Sequence, residues 1–412
     1  MEDDEQLVEN ARDSGISRTF DLSEQSLKFI RTFLRGFGSG AALYAGFKVV
    51  GALTRNPFRK GIPNILTLLR RDYKDLLRFA GFLALYPSVY HLCVDLLKYY
   101  RQKQDGWTHS IAGGVASFTV IVENDSRRTF MTFFAIARAL GAGLSTLVAR
   151  ETIPAIPFFD IMTFSACGAY IVYSAAVKPS NLSEGYYRSL LKWSRGFTDA
   201  SLARIYRLPG DRFISCQEAG MHSDTCTKHA LKDFFQSLLP FASLYLPIHL
   251  TPILVFRRKL LIERPKKTAL SLVKNLFYSS AFLSSMVMLA KYTMCVLRNF
   301  EGKPPPAAGW IPSVAGVVCG LSLLWERVNR RKELAMFLIP HTLLGIYKMG
   351  LKSSPRLVSS SPLIVMLLFA VSMMTLMHAY ERQPGSLTPL LGGLLKYFVG
   401  TRITVLPHTK HE

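Results

Sequence analysis

Acidic side chains are scarce in this 412-residue chain: 28 Asp and Glu stand against 50 Lys and Arg, for a formal net charge of +22. Charged residues of both signs reach only 19%, against 49% apolar. That balance excludes a disordered chain, which needs high charge and little apolar content. Cysteine is also rare, at six residues, which excludes a disulfide-dense secreted scaffold. The glycines follow no three-residue period, so a collagen-like fibre is excluded. No Gly-rich phosphate loop, Gly-x-Ser-x-Gly elbow or His-Glu-x-x-His helix is present, and the chain is not expected to be an enzyme. His91-x-x-x-Asp95 falls one residue short of the His-x4-Asp spacing of glycerolipid acyltransferases. Strict apolar/polar alternation is missing too, which excludes a transmembrane β-barrel.

The positive charge invites a nucleic-acid reading, but the basic residues are scattered over many loops and line no single face with interleaved aromatics. No nucleic-acid partner is expected; anionic lipid headgroups suit the pattern better. Residues 1–24 hold eight acids against Arg12 and Arg18, a net of −6, so the other 388 residues carry +28. This start has neither the basic and apolar regions of a secretory signal nor the Arg-rich, acid-poor character of a mitochondrial presequence. Residues 1–26 read as an acidic disordered tail, and any organelle signal is expected to be internal.

What the chain does have is apolar blocks near membrane-spanning length, at 28–53, 76–98, 107–123, 129–149, 153–177, 232–256, 271–296, 310–326, 333–350 and 361–381. About 20 residues of helix cross ~30 Å of hydrocarbon, and only closed helices satisfy the backbone there. The expected fold is all-α, a polytopic transmembrane helical bundle. The third and eighth blocks are short and rich in Gly, Ala and Ser.

The sequence repeats. Gly106-Trp107-x-x-Ser110-x-Ala112-Gly113-x-Val115 returns as Gly309-Trp310-x-x-Ser313-x-Ala315-Gly316-x-Val318, and Glu123-x-x-x-Arg127-Arg128 returns as Glu326-x-x-x-Arg330-Arg331. The offset is 203 throughout, and nine of 23 positions match, where ordinary composition gives roughly one or two. Weaker echoes pair Leu43-Tyr44 with Leu244-Tyr245. The expected organisation is two duplicated units of about five apolar helices each, at 27–178 and 231–400, joined by a polar connector at 179–230 and followed by a tail at 401–412. Five spans per unit would invert the second unit. Yet Arg55, Arg59, Lys60, Arg70, Arg71 and Lys74 in one unit, and Arg257, Arg258, Lys259, Arg264, Lys266 and Lys267 in the other, make the first loop of each the most basic. The positive-inside rule puts both loops on one side, which requires an even number of crossings between them.

Several residues are candidates for function. Gly113-x-x-x-Ser117, Gly316-x-x-x-Gly320, Gly36-x-x-x-Gly40 and Ala42-x-x-x-Gly46 place small side chains one turn apart, where helices approach closely in lipid; they read as plain packing or as the thin wall of a groove or lateral cavity. Glu123 with Arg127 and Glu326 with Arg330 have the spacing of one helix face; they read as anchors beside a tight turn or as a charged ring facing a cavity. His91 with Asp95, about one helical turn apart and able to bond, Asp160, His249, Lys291, His341 and His378 are the other polar groups in or near blocks; they read as a proton relay or as snorkelling or bundle-facing pairs. In the connector, Tyr186 to Ala203 has the pattern of an amphipathic helix lying in the membrane interface or of a solvent-facing linker helix. Cys216-x5-His222-x3-Cys226-x2-His229 offers four zinc-type ligands within fourteen residues. Three readings stay open for it: a tetrahedral zinc site, a Cys216–Cys226 disulfide, or a plain polar loop. Cys93, Cys167, Cys295 and Cys319 sit in apolar blocks and read as packing residues.

The segment 106–128, its second copy at 309–331 and the Cys/His connector together resemble the transmembrane protein 135 family, also called peroxisomal membrane protein 52. The resemblance covers most of residues 27–400. Members of that family are duplicated multispan proteins with Cys/His-rich segments leading into their helical units, distantly similar to the small translocase-channel proteins of the mitochondrial inner membrane. This chain departs from them in lacking Cys and His ahead of its first unit. The resemblance implies a multi-pass protein of peroxisomal and mitochondrial membranes, linked with mitochondrial dynamics and with lipid or cholesterol handling. Membrane lipids, a sterol and organelle-dynamics proteins are the expected partners. A groove between the repeats is the expected route for lipid; a non-transporting scaffold and a translocase-like channel are the alternatives.

Overall fold

The computed structural model describes residues 22–55, 70–102, 105–256, 263–353 and 355–400. The described residues are 83% helical and include no strand. In chain order the helices are α1 (Leu22–Arg55), α2 (Tyr73–Arg101), α3 (Gly106–Ser117), α4 (Asp125–Ala149), α5 (Phe159–Val177), α6 (Glu184–Ser194), α7 (Asp199–Tyr206), α8 (Cys226–Phe256), α9 (Pro265–Glu301), α10 (Trp310–Cys319), α11 (Val328–Ser353), α12 (Pro355–Arg382) and α13 (Pro389–Phe398).

Six of these helices contain stretches long and apolar enough to cross a membrane: Tyr73–Arg101, Asp125–Ala149, Phe159–Val177, Pro265–Glu301, Arg330–Ser353 and Ser361–Arg382. By length and composition the chain is therefore a multi-pass membrane protein. The first helix of each sequence unit, α1 and α8, is long but not among the six. α1 carries Lys28, Arg31, Arg35 and Lys48 along its length, and α8 opens with Lys228, Lys232 and Asp233.

The two short blocks have a common construction. α3 runs without a break into a 3-10 segment, Phe118–Val122, and α10 into another, Gly320–Trp325. A 3-10 residue rises ~2.0 Å against ~1.5 Å in an α-helix. Each composite rod is therefore about 27–28 Å long, longer than an α-helix of the same residue count and close to the thickness of the hydrocarbon layer. One face of each rod is made of small or buried residues (Ala112, Gly113 and Ala116; Ala315, Gly316 and Cys319), and the other exposes an apolar stripe (Val115, Phe118 and Ile121; Val317, Leu321 and Leu324).

Packing divides the chain into two compact units: 1–155 with 355–412, and 156–354. These differ from the chain-order division at the connector. In the first unit, α1 packs on α2, α2 on α3, and the late helix α12 lies against α3 and α4. A Cβ at Gly36 would lie 2.8 Å from the Cα of Ala84, and one at Gly40 2.9 Å from the Cα of Ala80, so this small pair seats α1 on α2. Gly46 meets nothing within 4 Å. The core joins Phe82, Tyr86 and Tyr90 to Phe369, Met377 and Tyr380. In the second unit, α8 packs on α9, α9 on α10, and α5 lies against α10 and α11. The fifth apolar helix of each sequence half thus completes the packing unit formed by the other half's first four.

Small residues make room for these late partners. A Cβ on Gly113 would lie 2.7 Å from Cγ of Met377 on α12. Gly316, 203 residues later, faces the backbone of Gly168 on α5, and a Cβ on Gly168 would lie 2.5 Å from the Gly316 carbonyl oxygen. No side chain larger than hydrogen fits at that crossing.

Candidate functional site

The repeated charged motifs are built alike. Each glutamate follows a 3-10 segment in extended conformation. Glu123 accepts from Arg127 Nη1 at 2.9 Å, and Glu326 pairs with Arg330 Nη1 at 3.1 Å. Both carboxylates are buried. The pairs do not share a helix face as the spacing suggests: each arginine is on the following helix, and the ion pair bridges the break ahead of it. Asn124 caps α4, its side chain accepting from the Arg127 N–H at 2.9 Å. The Arg127 guanidinium also lies 5.9 Å from the Tyr44 ring centre and 5.6 Å from that of Phe79, while Arg330 donates to Ser279 Oγ at 2.6 Å. Arg128 pairs with Asp125; Arg331 instead donates to the carbonyls of Glu326 and Leu324, closing the end of the 3-10 segment. Trp107 and Trp310 are exposed, Gly106 lies against His378, and Gly309 against Tyr173. These residues lie at the turns and helix crossings of each unit.

The other polar groups form no continuous relay among the described residues. His91 does not bond Asp95: it contacts the Val399 carbonyl at 2.7 Å, and Asp95 pairs with Lys28. Asp160 Oδ1 accepts from the Ile161 N–H at 3.0 Å. His249 bonds Ser279 Oγ at 3.1 Å. His378 stands edge-on to Trp107.

The connector holds two features in the second unit. The first is a cavity of about 340 Å³, within the ~300–1,000 Å³ range of small-molecule sites. Its walls come from α5, α9 and α11, and its cover from α6. The amphipathic segment is two helices, not one: Arg195 (φ 51°) and Gly196 (φ 113°) break it, and Thr198 and Ser201 then form a capping box that starts α7. No α6 residue is fully buried. Tyr186, Leu190, Leu191 and Trp193 face the cavity, and the Tyr186 ring stacks on His341 at 3.8 Å between centres. Tyr187 donates to Asp199 at 2.6 Å, tying α6 to α7; this bond, with the Arg207 guanidinium, holds the Asp199 carboxyl below the usual range. The lining has one charged side chain, Lys291. It is buried and satisfied, donating to Asp233 Oδ2 at 2.8 Å and to the Arg195 carbonyl at 2.9 Å, so it fixes the break that orients α6.

The second feature is a Cys/His cluster one helical turn further along α9. Sγ of Cys216, Cys226 and Cys295 and a ring nitrogen of His222 all lie within 4.8 Å of one another. The fourth member is Cys295, a cysteine of an apolar block that reads as a packing residue in the sequence, and not His229. His229 stacks on the His222 ring at 4.6 Å between centres, so the two parallel rings do not converge on one point. No disulfide is formed, and Cys216 and Cys226 stand 3.8 Å apart, sulfur to sulfur. Hydrogen bonding with Cys295 lowers the pKa of the Cys216 thiol against the opposing effect of burial, and the Arg298 charge adds to the pull. Cys295 is hard to see from sequence because its partners are some 70 residues away; the available signal was Arg298 and Asn299 on the same helix face, three and four residues on. The cluster can hold a metal ion.

Among the basic loop residues, Arg59, Lys60, Arg257, Arg258 and Lys259, like the tails 1–21 and 401–412, lie outside the described residues. No known family model, curated protein or solved structure matches the chain.

Proposed function

We propose that this is a non-enzymatic, multi-pass organelle membrane protein that handles lipid, holding one largely apolar molecule in the cavity of its second unit. The observation that carries the reading is the cavity itself, apolar and covered by an amphipathic helix whose residues are half-buried or exposed. Its one charge is already neutralised by Asp233, so the site favours a hydrocarbon body such as an acyl chain or a sterol over an ionic solute. The likeness of residues 106–128 and 309–331 to the transmembrane protein 135 family supports a peroxisomal or mitochondrial membrane, duplication of the helical unit, and a role in organelle dynamics and lipid or cholesterol handling. The channel alternative is less well supported, because Glu123 and Glu326 are buried against their own arginines. The scaffold alternative differs in needing no bound lipid.

Photoreactive sterol and fatty-acid probes, added to membranes containing the full chain, test this reading. Adducts are expected on α6 and on the cavity face of α9, with labelling reduced severalfold by the cavity-filling substitution Ala290→Phe. Labelling confined to the outer apolar stripes and unchanged by Ala290→Phe would leave the scaffold reading in its place.

A further inference from the structure

The Cys/His cluster has more than proximity. Two sulfurs each ~2.3 Å from one zinc ion at the tetrahedral angle stand about 3.8 Å apart, and a sulfur and an imidazole nitrogen about 3.5–3.6 Å. The Cys216–Cys226 sulfur separation is 3.8 Å, and Cys295 Sγ is 3.8 Å from His222 Nε2. His222 Nδ1 is 2.8 Å from the Asp224 carbonyl oxygen. A carbonyl only accepts, so Nδ1 carries the proton and the Nε2 lone pair is left facing the three sulfurs. This is the outer-shell bond that fixes the tautomer of metal-bound histidines.

The sulfurs have outer-shell partners as well. Arg298 Nη2 donates to Cys216 Sγ at 3.0 Å, and Asn299 Nδ2 to Cys226 Sγ at 3.4 Å. Both partners come from the α9 face that carries Cys295. Arg298 and Cys216 are buried. Three thiolates and one divalent ion leave a net charge of −1, which the buried guanidinium balances.

We propose that Cys216, Cys226, Cys295 and His222 bind one zinc ion, with Arg298 and Asn299 as outer-shell donors and His229 outside the coordination sphere. Binding deprotonates the three thiols and releases their protons to solvent. Four protein ligands leave no open position, so the site is structural. It ties the connector and the start of α8 to the end of α9. The assignment rests on the cluster alone and stands whether or not the neighbouring cavity holds lipid.

Metal analysis and zinc-edge X-ray absorption on the full chain purified in detergent test it. One zinc per chain is expected, in a shell of three sulfurs at ~2.3 Å and one nitrogen at ~2.0 Å. His229→Ala should keep the stoichiometry, and Arg298→Ala should weaken zinc affinity by about 10- to 100-fold. Cys295→Ser should lose the metal. Because that variant also alters a packed helix, the sulfur count of the unsubstituted protein decides the point independently. A two-sulfur, two-nitrogen shell, a zinc-free protein from zinc-replete cells, or a Cys216–Cys226 disulfide in peptide mapping would each overturn the assignment.

Discussion

Lys291 shows how a charge within an apolar helix can be structural. Asp233 and the Arg195 carbonyl take two of its three donor positions, and the Phe197 ring centre lies 5.3 Å away. Removing one partner of such a pair leaves a buried charge uncompensated, at a cost of about 3–5 kcal/mol. Asp233 keeps a second cation, with Arg195 Nε 3.5 Å from its Oδ1, so Lys291→Met should destabilise the second unit by less than that, about 1–3 kcal/mol, in denaturant or thermal unfolding. Adding Asp233→Leu to it should recover most of the loss; a double variant no better than the single one would show that the pair is not the reason. Sequence alone placed Lys291 among candidate polar groups and could go no further, since Asp233 lies 58 residues away and the Arg195 carbonyl belongs to no side chain. Cys295 poses the same difficulty: its three partners come from a connector that only tertiary packing brings to α9.

Helix faces were more legible than helix ends. The small-residue spacing of Gly36 and Gly40 and the recurrence of Gly113 at Gly316 marked true close approaches, because a 3.6-residue period directs such residues to one side whatever the partner. Their partners could not be read, since helices of similar composition offer many equivalent faces. Nor does spacing separate a tight crossing from an open one: Gly46 belongs to the same kind of pattern and meets nothing. Gly316→Ala and Gly168→Ala should therefore destabilise the second unit. Gly46→Ala should be neutral or stabilising by up to ~1 kcal/mol, from helix propensity alone. Equal losses at all three positions in thermal unfolding would contradict the α5–α10 crossing. The break within the amphipathic segment was concealed for another reason. Glycine is tolerated inside many helices, and what matters at Gly196 is a left-handed backbone held by Lys291 from another helix. The short third and eighth blocks look too short when counted at 1.5 Å per residue. Their 3-10 ends supply the missing length.

For the whole molecule, helical class and membrane character followed from composition, but the grouping of helices did not, because a contiguous stretch of sequence need not be a contiguous body. The first unit needs α12, which supplies Met377 and Tyr380 to its core; the second is made of residues 156–354. A chain ending at Ser353 should therefore damage the first unit selectively. In maleimide labelling of membranes, Cys93 of α2, half-buried beside the core of the first unit, should become more reactive, while buried Cys167 and Cys319 of the second stay protected as in the full chain. Exposure of Cys319 with Cys93 unchanged would contradict the assignment of α12 to the first unit. The late arrival of α12 also has a consequence during synthesis. Roughly 200 residues separate Ala155 from Pro355, which a ribosome adding ~5–20 residues per second needs about 10–40 s to make. Throughout that interval the glycine face of α3 has no partner from its own chain, so the newborn first unit must be sheltered by lipid or by an insertion chaperone until its last helix is delivered.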